Sequence, residues 1–578
     1  MNGPVSIVKL SGCNRKKIMA QKLTFFLTMY RVNSRTVHSN GILEIAIFRE
    51  LCRMCEVDLN IMNKSNARAD SLRIEGNELF NRKCYHDAMV KYNQSLCLAE
   101  PSSEMLGLAY ANRSAVYFEM KLFDNCMRNI TLAKHHKCPE VTIEILNKRE
   151  AKCLTALRQS NRPESSNADI QKFFSLSYPS HKKLPFMADC LELRHNVKYG
   201  RHITTNKCLK VGDIVAIEEP FCKIVRQAFI HQICSWCFNS NSMDLIPCRG
   251  CTTAMFCSDE CESQASRTFH KYECHISEIT SALSTNQQMA LRSFFTALSL
   301  FGESLDDLQK YLLENANQCT IFDVKDTDDQ RAKFKAINSL TANVEVNVEK
   351  NILEKIFQTS PELNEMWSKY DDLIANFLKR QVQIATLNYH EIYFWPLKNG
   401  RRPDPSTDGS LTYQRGTVAV GNGSYPLSSL LNHDCAPNII KAFIDDKIAL
   451  VVQWPIKKGD QLFDNYGHHF ANVSKSYRRM ELLKQYRFEC DCEACKNNWP
   501  LLSQLKVCDR MCLNKAKKCC RELGLMDSNR KKAIVKYKEL CEILEKNGKN
   551  FPSLETCSIM QSAAAYLEMS LKPPVQFP

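Results

Sequence analysis

Eight soft metal ligands stand within 41 consecutive residues near the middle of the chain, and their pairing constrains the fold more than any other feature. Four nitrogen or sulfur ligands complete a tetrahedral zinc site, so eight are enough for two ions. A redox function is the alternative, but regular pairs that end in a helical His/Cys pair fit metal better. Such sites lack the open position of catalytic zinc, so they are predicted to be structural. The ligands are Cys234, Cys237, Cys248, Cys251, Cys257, Cys261, His270 and Cys274.

A second cysteine group, nearer the C-terminus, is one ligand short of a closed zinc site. Cys490, Cys492 and Cys495 lie within six residues, and a structural zinc ion requires a fourth ligand from elsewhere in the fold. Cys435 is the best candidate. This pairing would tie a distant loop to the C-terminal segment, and it brings the predicted number of structural zinc ions to three.

The cysteine content, the hydropathy and the charge of the chain limit its expected compartment and partners. The chain has 29 cysteines and no recognisable signal peptide, which indicates a reducing compartment, and we expect the cytoplasm and nucleus. The apolar run 23–30 is far shorter than the roughly 20 residues that cross a bilayer, so no membrane partner is predicted. The net charge of +14 is spread without a dense basic tract, which argues against nucleic acid as the main partner.

Helical and strand-like patterns alternate along the chain and predict an α+β protein of several domains. Residues 1–66 show no sustained periodicity, and their structure stays open. From about residue 69, glycine, alanine and aromatic residues recur at the positions of tetratricopeptide helical hairpins, with ordinary hairpins as the alternative. Short strand patterns then occur before and after the cysteine array and a long helical region. This order indicates a β domain that is interrupted by an insertion.

The cysteine array, with Phe256 directly before the third pair, resembles a MYND finger. In that family the first and third pairs share one zinc ion, and the second and fourth pairs share the other. MYND fingers in related proteins bind proline-rich peptides, so a corepressor peptide of this kind is an expected partner. The resemblance assigns one ion to Cys234, Cys237, Cys257 and Cys261, and the other to Cys248, Cys251, His270 and Cys274.

Two further groups of motifs resemble the halves of a SET domain and its post-SET segment. The first is the turn Tyr199-Gly200-Arg201. The second runs from Asn432-His433-Asp434-Cys435 through Tyr466-Gly467 to Tyr486-x-Phe488 and the cysteine triplet. With a MYND finger between the halves, the chain resembles the SET-and-MYND-domain protein-lysine methyltransferases, and its N-terminal repeats resemble the tetratricopeptide-bearing fourth subtype.

The resemblance divides the chain into nine regions. They are an N-terminal region of unknown structure (1–66), tetratricopeptide-like repeats (67–158), a linker (159–188), the first SET half (189–230), the MYND finger (231–275), a helical SET insert (276–383), the SET core (384–468), the post-SET segment (469–497) and a helical C-terminal region (498–578). The last region is shorter than the family's C-terminal domain generally is, so we expect one wall of the substrate cleft to be incomplete.

The resemblance implies transfer of a methyl group from S-adenosylmethionine to a lysine side chain of a protein substrate. Such a displacement mainly requires that a neutral amine is aligned behind the methyl group. Tyr466 and Tyr486 are the implied catalytic residues. Because a tyrosine of pKa ~10 is a poor base at neutral pH, we expect orientation and electrostatics rather than proton abstraction. The implied cofactor-binding residues are Tyr199, Gly200, Arg201, Asn388, Asn432, His433, Tyr466 and Phe488.

One residue departs from the family's pattern. His202 stands where the first-half turn usually has a second glycine. Glycine permits close backbone approach or a positive φ angle, and histidine tolerates either less well, so weakened cofactor binding is a hypothesis. The alternative to an enzyme is a zinc-stabilised adaptor without activity, which links partners of the repeats and of the finger in transcriptional regulation.

The repeats also match most of a clamp that grips the C-terminal carboxylate of chaperone tails. Arg73, Asn77, Asn112 and Arg149 occupy four of the five usual positions, and Ile145 takes the remaining basic one. Paired cations and amides recognise carboxylates well, so a chaperone tail is an expected partner. A structural role of the two asparagines inside the repeats is the alternative.

Overall fold

A computed structural model describes residues 64–159, 173–239, 243–314, 319–323, 330–346, 348–394, 418–525 and 530–571. All of them belong to one compact unit, Met62–Pro578. Residues 1–63 of the predicted N-terminal region lie outside the described residues, and so does the apolar run 23–30. Within the described part, no helix has both the length and the apolarity that a membrane span requires.

Helices and strands alternate along the described chain. The helices are α1 (Asn66–Asn81), α2 (Tyr85–Leu98), α3 (Glu104–Glu119), α4 (Phe123–His135), α5 (Glu140–Gln159), α6 (Asp259–Ala265), α7 (Lys271–Thr280), α8 (Thr285–Leu300), α9 (Leu305–Glu314), α10 (Gln330–Asn338), α11 (Lys350–Phe357), α12 (Pro361–Asn388), α13 (Lys475–Tyr486), α14 (Glu493–Lys496), α15 (Arg510–Leu525), α16 (Arg530–Asn547) and α17 (Leu554–Leu571). The strands are β1 (Leu191–Asn196), β2 (Gly200–Thr205), β3 (Ile214–Glu218), β4 (Lys223–Val225), β5 (Ile246–Pro247), β6 (Met255–Phe256), β7 (Tyr389–Phe394), β8 (Val418–Ser424), β9 (Asn432–His433), β10 (Ile439–Ile444), β11 (Lys447–Val452) and β12 (Phe463–Asp464).

The first five helices pack in chain order as helical hairpins, α1 against α2 and α3 against α4, with α5 next to α4. Gly76 lies where α1 touches α2, because a Cβ atom at this position would stand 2.5 Å from the Tyr92 ring. Ala88 on α2 and Ala133 on α4 are fully buried. Small residues at these positions allow neighbouring helices to approach closely, which is the feature that the repeat pattern predicts.

Strands from before and after the cysteine array form common sheets. β11 lies between β10 and β3 in antiparallel order, and β8 lies between β4 and β7 in the same way. β1 and β2 form an antiparallel hairpin, while β9 and β12 pair in parallel. The strand patterns 214–217, 439–443 and 448–452 coincide with β3, β10 and β11.

The linker is shorter than the predicted range 159–188. Residues 160–172 lie outside the described part of the chain, but the residues that follow are packed. Leu184 and Met187 are buried in the core of the sheets, and Met187 pairs with Ala216 on β3. The polar breaker residues end at Asp169, and the apolar residues after them belong to the β domain rather than to the linker.

The helical region after the cysteine array ends later than the predicted boundary at 383. α12 continues to Asn388, because Ile384 and Ala385 extend its buried face and neither glycine nor proline intervenes. The helix begins after Ser360, whose hydroxyl accepts a hydrogen bond from the Leu363 amide. Asn388 is therefore the last helical residue, directly before β7.

The C-terminal helices cover one face of the sheet that contains β11. Ile448 and Leu450 point into the central core, whereas Ala449 and Val451 pack in a second core with Tyr566 of α17. Alternate residues face opposite sides, as the period of two in a strand requires. The C-terminal region is thus integrated with the β domain.

Candidate functional site

The twelve predicted metal ligands lie in three groups of four, and in each group the ligand atoms are within 4.8 Å of one another. In the first group the Sγ atom of Cys257 is 3.5 Å from those of Cys237 and Cys261. Zn–S bonds of about 2.3 Å in a tetrahedral site place two sulfurs about 3.8 Å apart, so the cysteines fit zinc. The groups are Cys234, Cys237, Cys257 and Cys261; Cys248, Cys251, His270 and Cys274; and Cys435, Cys490, Cys492 and Cys495.

The second group combines three thiols with one imidazole. The Nε2 atom of His270 is 3.1 Å from the Sγ atom of Cys248, which is 3.8 Å from that of Cys274. His270 is buried in the turn that joins α6 to α7. The pairing of ligands in the two finger sites is the one that the MYND resemblance implies.

The third group joins the loop after β9 to the segment after α13. The Sγ atom of Cys435 is 3.9 Å from that of Cys490 and 3.6 Å from that of Cys495. The buried guanidinium of Arg478 lies 3.7 Å from the Cys495 sulfur and also donates to the carbonyl oxygen of Val473. A zinc ion with four thiolates carries a net negative charge, which this cation would offset. Sequence reasoning missed Arg478, because a single arginine in a helical pattern gives no signal.

The two implied catalytic tyrosines lie beside this metal group. The rings of Tyr466 and Tyr486 are 4.8 Å apart between centroids, and the Tyr486 hydroxyl donates to the main-chain carbonyl oxygen of Tyr466 over 3.3 Å. The Tyr466 hydroxyl donates to the carbonyl oxygen of Leu431 over 2.7 Å. Burial raises the pKa of both phenols, so both are neutral at physiological pH.

His433 connects the tyrosines with Phe488. Its ring centroid is 5.4 Å from that of Tyr466 and 6.0 Å from that of Phe488. The Nδ1 atom of His433 accepts a hydrogen bond from the Tyr466 amide over 3.0 Å. His433, Tyr466, Tyr486 and Phe488 therefore form one aromatic cluster next to the metal group of Cys435.

Asn432 holds the turn Tyr199-Gly200-Arg201, which the sequence motifs assign to the first half of the predicted SET domain. The Asn432 side-chain amide donates to the carbonyl oxygens of Tyr199 and Arg201, each over 3.3 Å. Gly200 has a φ angle of +61°, and no heavy atom lies within 4 Å of the place that its Cβ atom would take. The guanidinium of Arg201 donates to the main-chain oxygen of Ser339 over 3.3 Å. The space directly beside Gly200 is therefore open.

His202 does not adopt the strained backbone that the comparison with glycine suggests. It lies in β2, opposite Arg194 of β1, and its side chain is buried. The Nδ1 atom of His202 is 2.9 Å from the carbonyl oxygen of Gly200, and Nε2 is 3.4 Å from the Asn196 amide. Only Gly200 in this turn needs the positive φ angle, and it is glycine. The positive-φ part of the argument for weakened cofactor binding is therefore wrong, and the close-approach part stays a prediction.

Asn388 contacts both the helical region after the cysteine array and the loop that contains Ser429. Its side-chain amide donates to the carbonyl oxygens of Thr341 and Ile384, over 2.8 and 3.0 Å. Its own main-chain oxygen accepts a hydrogen bond from Ser429 over 3.0 Å. In this conformation only the side-chain carbonyl oxygen remains for a ligand.

A cleft of about 780 Å³ opens beside the tyrosine pair. Such a volume lies in the range of ordinary ligand-binding clefts. Two ion pairs line it, Lys441 with Asp464 over 2.6 Å and Arg226 with Glu391. One wall is a stripe of α17 that sequence reasoning missed: Cys557, Met560, Gln561, Ala564 and Glu568. The last described helix folds back onto the β domain and contributes this part of the lining, and the expectation of an incomplete substrate cleft stays a prediction.

The residues of the predicted carboxylate clamp are engaged within the helices. The side-chain oxygen of Asn77 accepts hydrogen bonds from Tyr92 and Asn112, over 2.9 and 2.7 Å. Arg149 donates to the Ser114 hydroxyl over 2.6 Å, and Arg73 pairs with a neighbouring carboxylate of α1. These contacts favour the structural alternative for the two asparagines.

A buried carboxylate of the finger joins it to the helical hairpins. Asp244 forms ion pairs with Arg113 of α3 and with Arg128 of α4, the latter over 2.8 Å. The Asn129 side chain donates to the same carboxylate over 2.8 Å. Arg128 also donates to the main-chain oxygen of the metal ligand Cys257 over 3.1 Å. No local sequence signal predicts this network, because its members are more than 100 residues apart.

Comparison with known proteins agrees with these features. The family model "MYND finger" matches residues 234–274. Protein-lysine N-methyltransferase SMYD4 of Homo sapiens is 23% identical over 539 residues, with 73% of this chain and 66% of that protein covered. The Danio rerio protein of the same name is 22% identical, with 78% of this chain and 69% of its own length covered. Histone-lysine N-methyltransferase SMYD1 of Homo sapiens is 26% identical over 51% of this chain and 54% of that protein.

The chain spans just under two thirds of the human SMYD4 relative. The matched finger includes the first two metal groups, and the shared regions extend well beyond it. The finger and these relatives show that the chain is similar to the SET-and-MYND-domain protein-lysine methyltransferases.

Proposed function

We propose that the protein transfers a methyl group from S-adenosylmethionine to a lysine side chain of a protein substrate. The observation that carries this proposal is the position of the tyrosine pair. Tyr466 and Tyr486 line the cleft of about 780 Å³, and they lie in the aromatic cluster that the third metal group adjoins. The names of the relatives support the same reaction.

The turn Tyr199-Gly200-Arg201 and the aromatic cluster provide the residues that would hold the cofactor. The backbone of Gly200 is accessible, since no atom of the described residues lies within 4 Å of the place that its Cβ atom would take. Asn432 fixes the turn, and the rings of His433 and Phe488 offer flat apolar surfaces. S-adenosylmethionine, when bound, supplies an electrophilic methyl group on a cationic sulfonium.

The tyrosines would orient the reacting groups. The Tyr466 hydroxyl proton is directed at Leu431, so the lone pairs of its oxygen remain for a positively charged group. The raised pKa keeps this oxygen protonated, and Tyr466 therefore acts as a dipole rather than as a base. After burial, the charge of Asp464 is the next cause of the raised pKa in both phenols.

The finer architecture belongs to the same proposal. We assign α1 to α5 as tetratricopeptide repeats, and β1 to β4 with β7 to β12 as a SET fold that the MYND finger and the helical insert split. Two antiparallel sheets that combine strands from before and after the finger support this assignment. All three zinc ions are structural, because each metal group has four protein ligands.

Partners and location complete the proposal. The substrate is a lysine-bearing protein, and a proline-rich peptide is proposed for the finger. A chaperone tail at the repeats stays a prediction, which a pull-down lost in Asn112→Ala would support. We propose that the protein acts in the cytoplasm and nucleus, where thiol ligands remain reduced.

Incubation of a cell extract with labelled S-adenosylmethionine tests the function. Purified wild-type protein should add label to a defined set of proteins, and Tyr466→Phe should add far less. Equal labelling by the two proteins would contradict the assignment of Tyr466. An absence of labelling together with retained cofactor binding would favour the adaptor alternative.

A further inference from the structure

We propose that Glu218, the last residue of β3, is a positioning residue for methyl transfer. Its carboxylate holds the start of a loop that contacts Asn388, Tyr466 and the turn that begins at Tyr199. This inference rests on the proposed function. The loop is 427–432, and it includes the short turn Ser428–Leu430.

The carboxylate of Glu218 accepts three hydrogen bonds from two successive residues. The amide of Leu427 donates to Oε1 over 2.6 Å. The amide and the hydroxyl of Ser428 donate to Oε2 over 2.9 and 2.7 Å. Only 2% of Glu218 is exposed, so water does not compete for these bonds. Charge-assisted hydrogen bonds in such a place fix the backbone firmly.

Within five residues of Leu427, the loop contacts three components of the candidate site. The Ser429 hydroxyl donates to the main-chain oxygen of Asn388, and the Leu431 carbonyl oxygen accepts the hydroxyl of Tyr466. Asn432 holds the turn that begins at Tyr199. A loop that moved at its start would displace the tyrosine hydroxyl and the turn together. Glu218 itself lines neither the turn nor the cleft, and it acts through the loop.

Burial of the Glu218 carboxylate disfavours its charged form, so the hydrogen bonds that hold the loop depend on pH. Burial raises the pKa of this carboxyl to about 7, although the hydrogen bonds from Leu427 and Ser428 lower it. The charged or titratable groups that interact with it are Lys333 and the phenol of Tyr425. A protonated carboxyl gives up acceptor capacity, so the anchor loosens as the pH falls through 7.

Replacement of Glu218 by glutamine tests the anchor, with Glu219→Gln as the matched control. The Glu219 side chain is 58% exposed and pairs with Lys447 at the surface. Glu218→Gln should raise the KM for S-adenosylmethionine at least tenfold at pH 8 and lower kcat, and Glu219→Gln should change neither. The acid limb of kcat/KM near pH 7 should disappear in Glu218→Gln alone. Glu218→Asp, which keeps the charge, should restore part of the activity.

Hydrogen exchange of the 427–432 amides provides a second measurement that needs no activity. Exchange should accelerate in Glu218→Gln and, to a lesser degree, in Ser428→Ala, which keeps two of the three bonds and serves if the first variant does not fold. Wild-type exchange and wild-type kcat/KM in these variants would overturn the inference. A wild-type protein that neither binds nor uses S-adenosylmethionine would instead overturn the proposed function, and the exchange result would still decide whether Glu218 holds the loop.

Discussion

The hydroxyl of Tyr466 donates to the carbonyl oxygen of Leu431 over 2.7 Å, and this bond connects the aromatic cluster with the loop before Asn432. The ring of Tyr466 is held independently, by Tyr486 and His433. The hydroxyl can therefore be removed without loss of the ring packing. A variant that lacks only the hydroxyl therefore distinguishes the contribution of the oxygen to catalysis from the contribution of the ring to the stability of the fold.

Tyr466→Phe should lower kcat about 100-fold, which is the usual effect of one lost electrostatic group at a reacting centre. The free energy of unfolding should fall by only about 1 kcal/mol, since a single hydrogen bond is lost. Kinetics with a purified substrate and thermal unfolding measure the two quantities. A loss of stability that matches the loss of activity would mean that the hydroxyl is only structural.

Cys435→Ser should reduce the zinc content from three ions per chain to two, because the third metal group then has three thiols. The matched control is Cys208→Ser, since Cys208 is an exposed free thiol outside the metal groups. Metal analysis of the purified proteins gives the count. Two ions in the wild-type protein would show that the third group does not bind zinc.

Asp244→Ala should detach the helical hairpins from the finger. The change leaves the guanidinium of Arg113 buried without its carboxylate, which costs about 3–5 kcal/mol for a buried pair. Asp491→Ala is the control, because Asp491 pairs with Lys198 at the surface and such pairs contribute under about 1 kcal/mol. Limited proteolysis around 160–172 and thermal unfolding compare the variants. Similar behaviour of both would contradict the proposed role of Asp244.

His202→Gly should not tighten cofactor binding. The buried imidazole contacts the Gly200 carbonyl oxygen, so its removal loosens the turn that the cofactor would touch. Calorimetric titration with S-adenosylmethionine should give a Kd for the wild type that is equal to or lower than that of the variant. A clearly lower Kd for His202→Gly would restore the hypothesis that this histidine weakens binding.

Local patterns predict much of this protein. Spacing alone identifies the finger ligands, because each pair comes from one turn or helix. Short strand-like runs predict β10 and β11, and the glycine at 76 marks a helix contact. The resemblance to a family adds the tyrosine pair, which no isolated Tyr-Gly dipeptide could indicate.

The features that the sequence did not predict depend on contacts between distant residues. Asp244 meets Arg113 across 131 residues, and Glu218 meets Ser428 across 210. The part of the cleft lining that α17 contributes depends on how this helix folds back, and its mixture of apolar and polar residues gives no local signal. The predicted linker was too long for the same reason, since residues such as Met187 are ordered by a strand that follows them in the chain.

We propose that zinc in the third metal group fixes Tyr486 and Phe488 over Asn432 and His433, and that cofactor binding depends on this arrangement. Calorimetric titration of S-adenosylmethionine into Cys495→Ser, into wild type and into the control Cys208→Ser measures this dependence. Wild type and Cys208→Ser should each show one binding site, and Cys495→Ser should show no measurable binding at a temperature where α1 to α5 remain folded. Equal affinity of the three proteins would rule out a role of this zinc ion in cofactor binding.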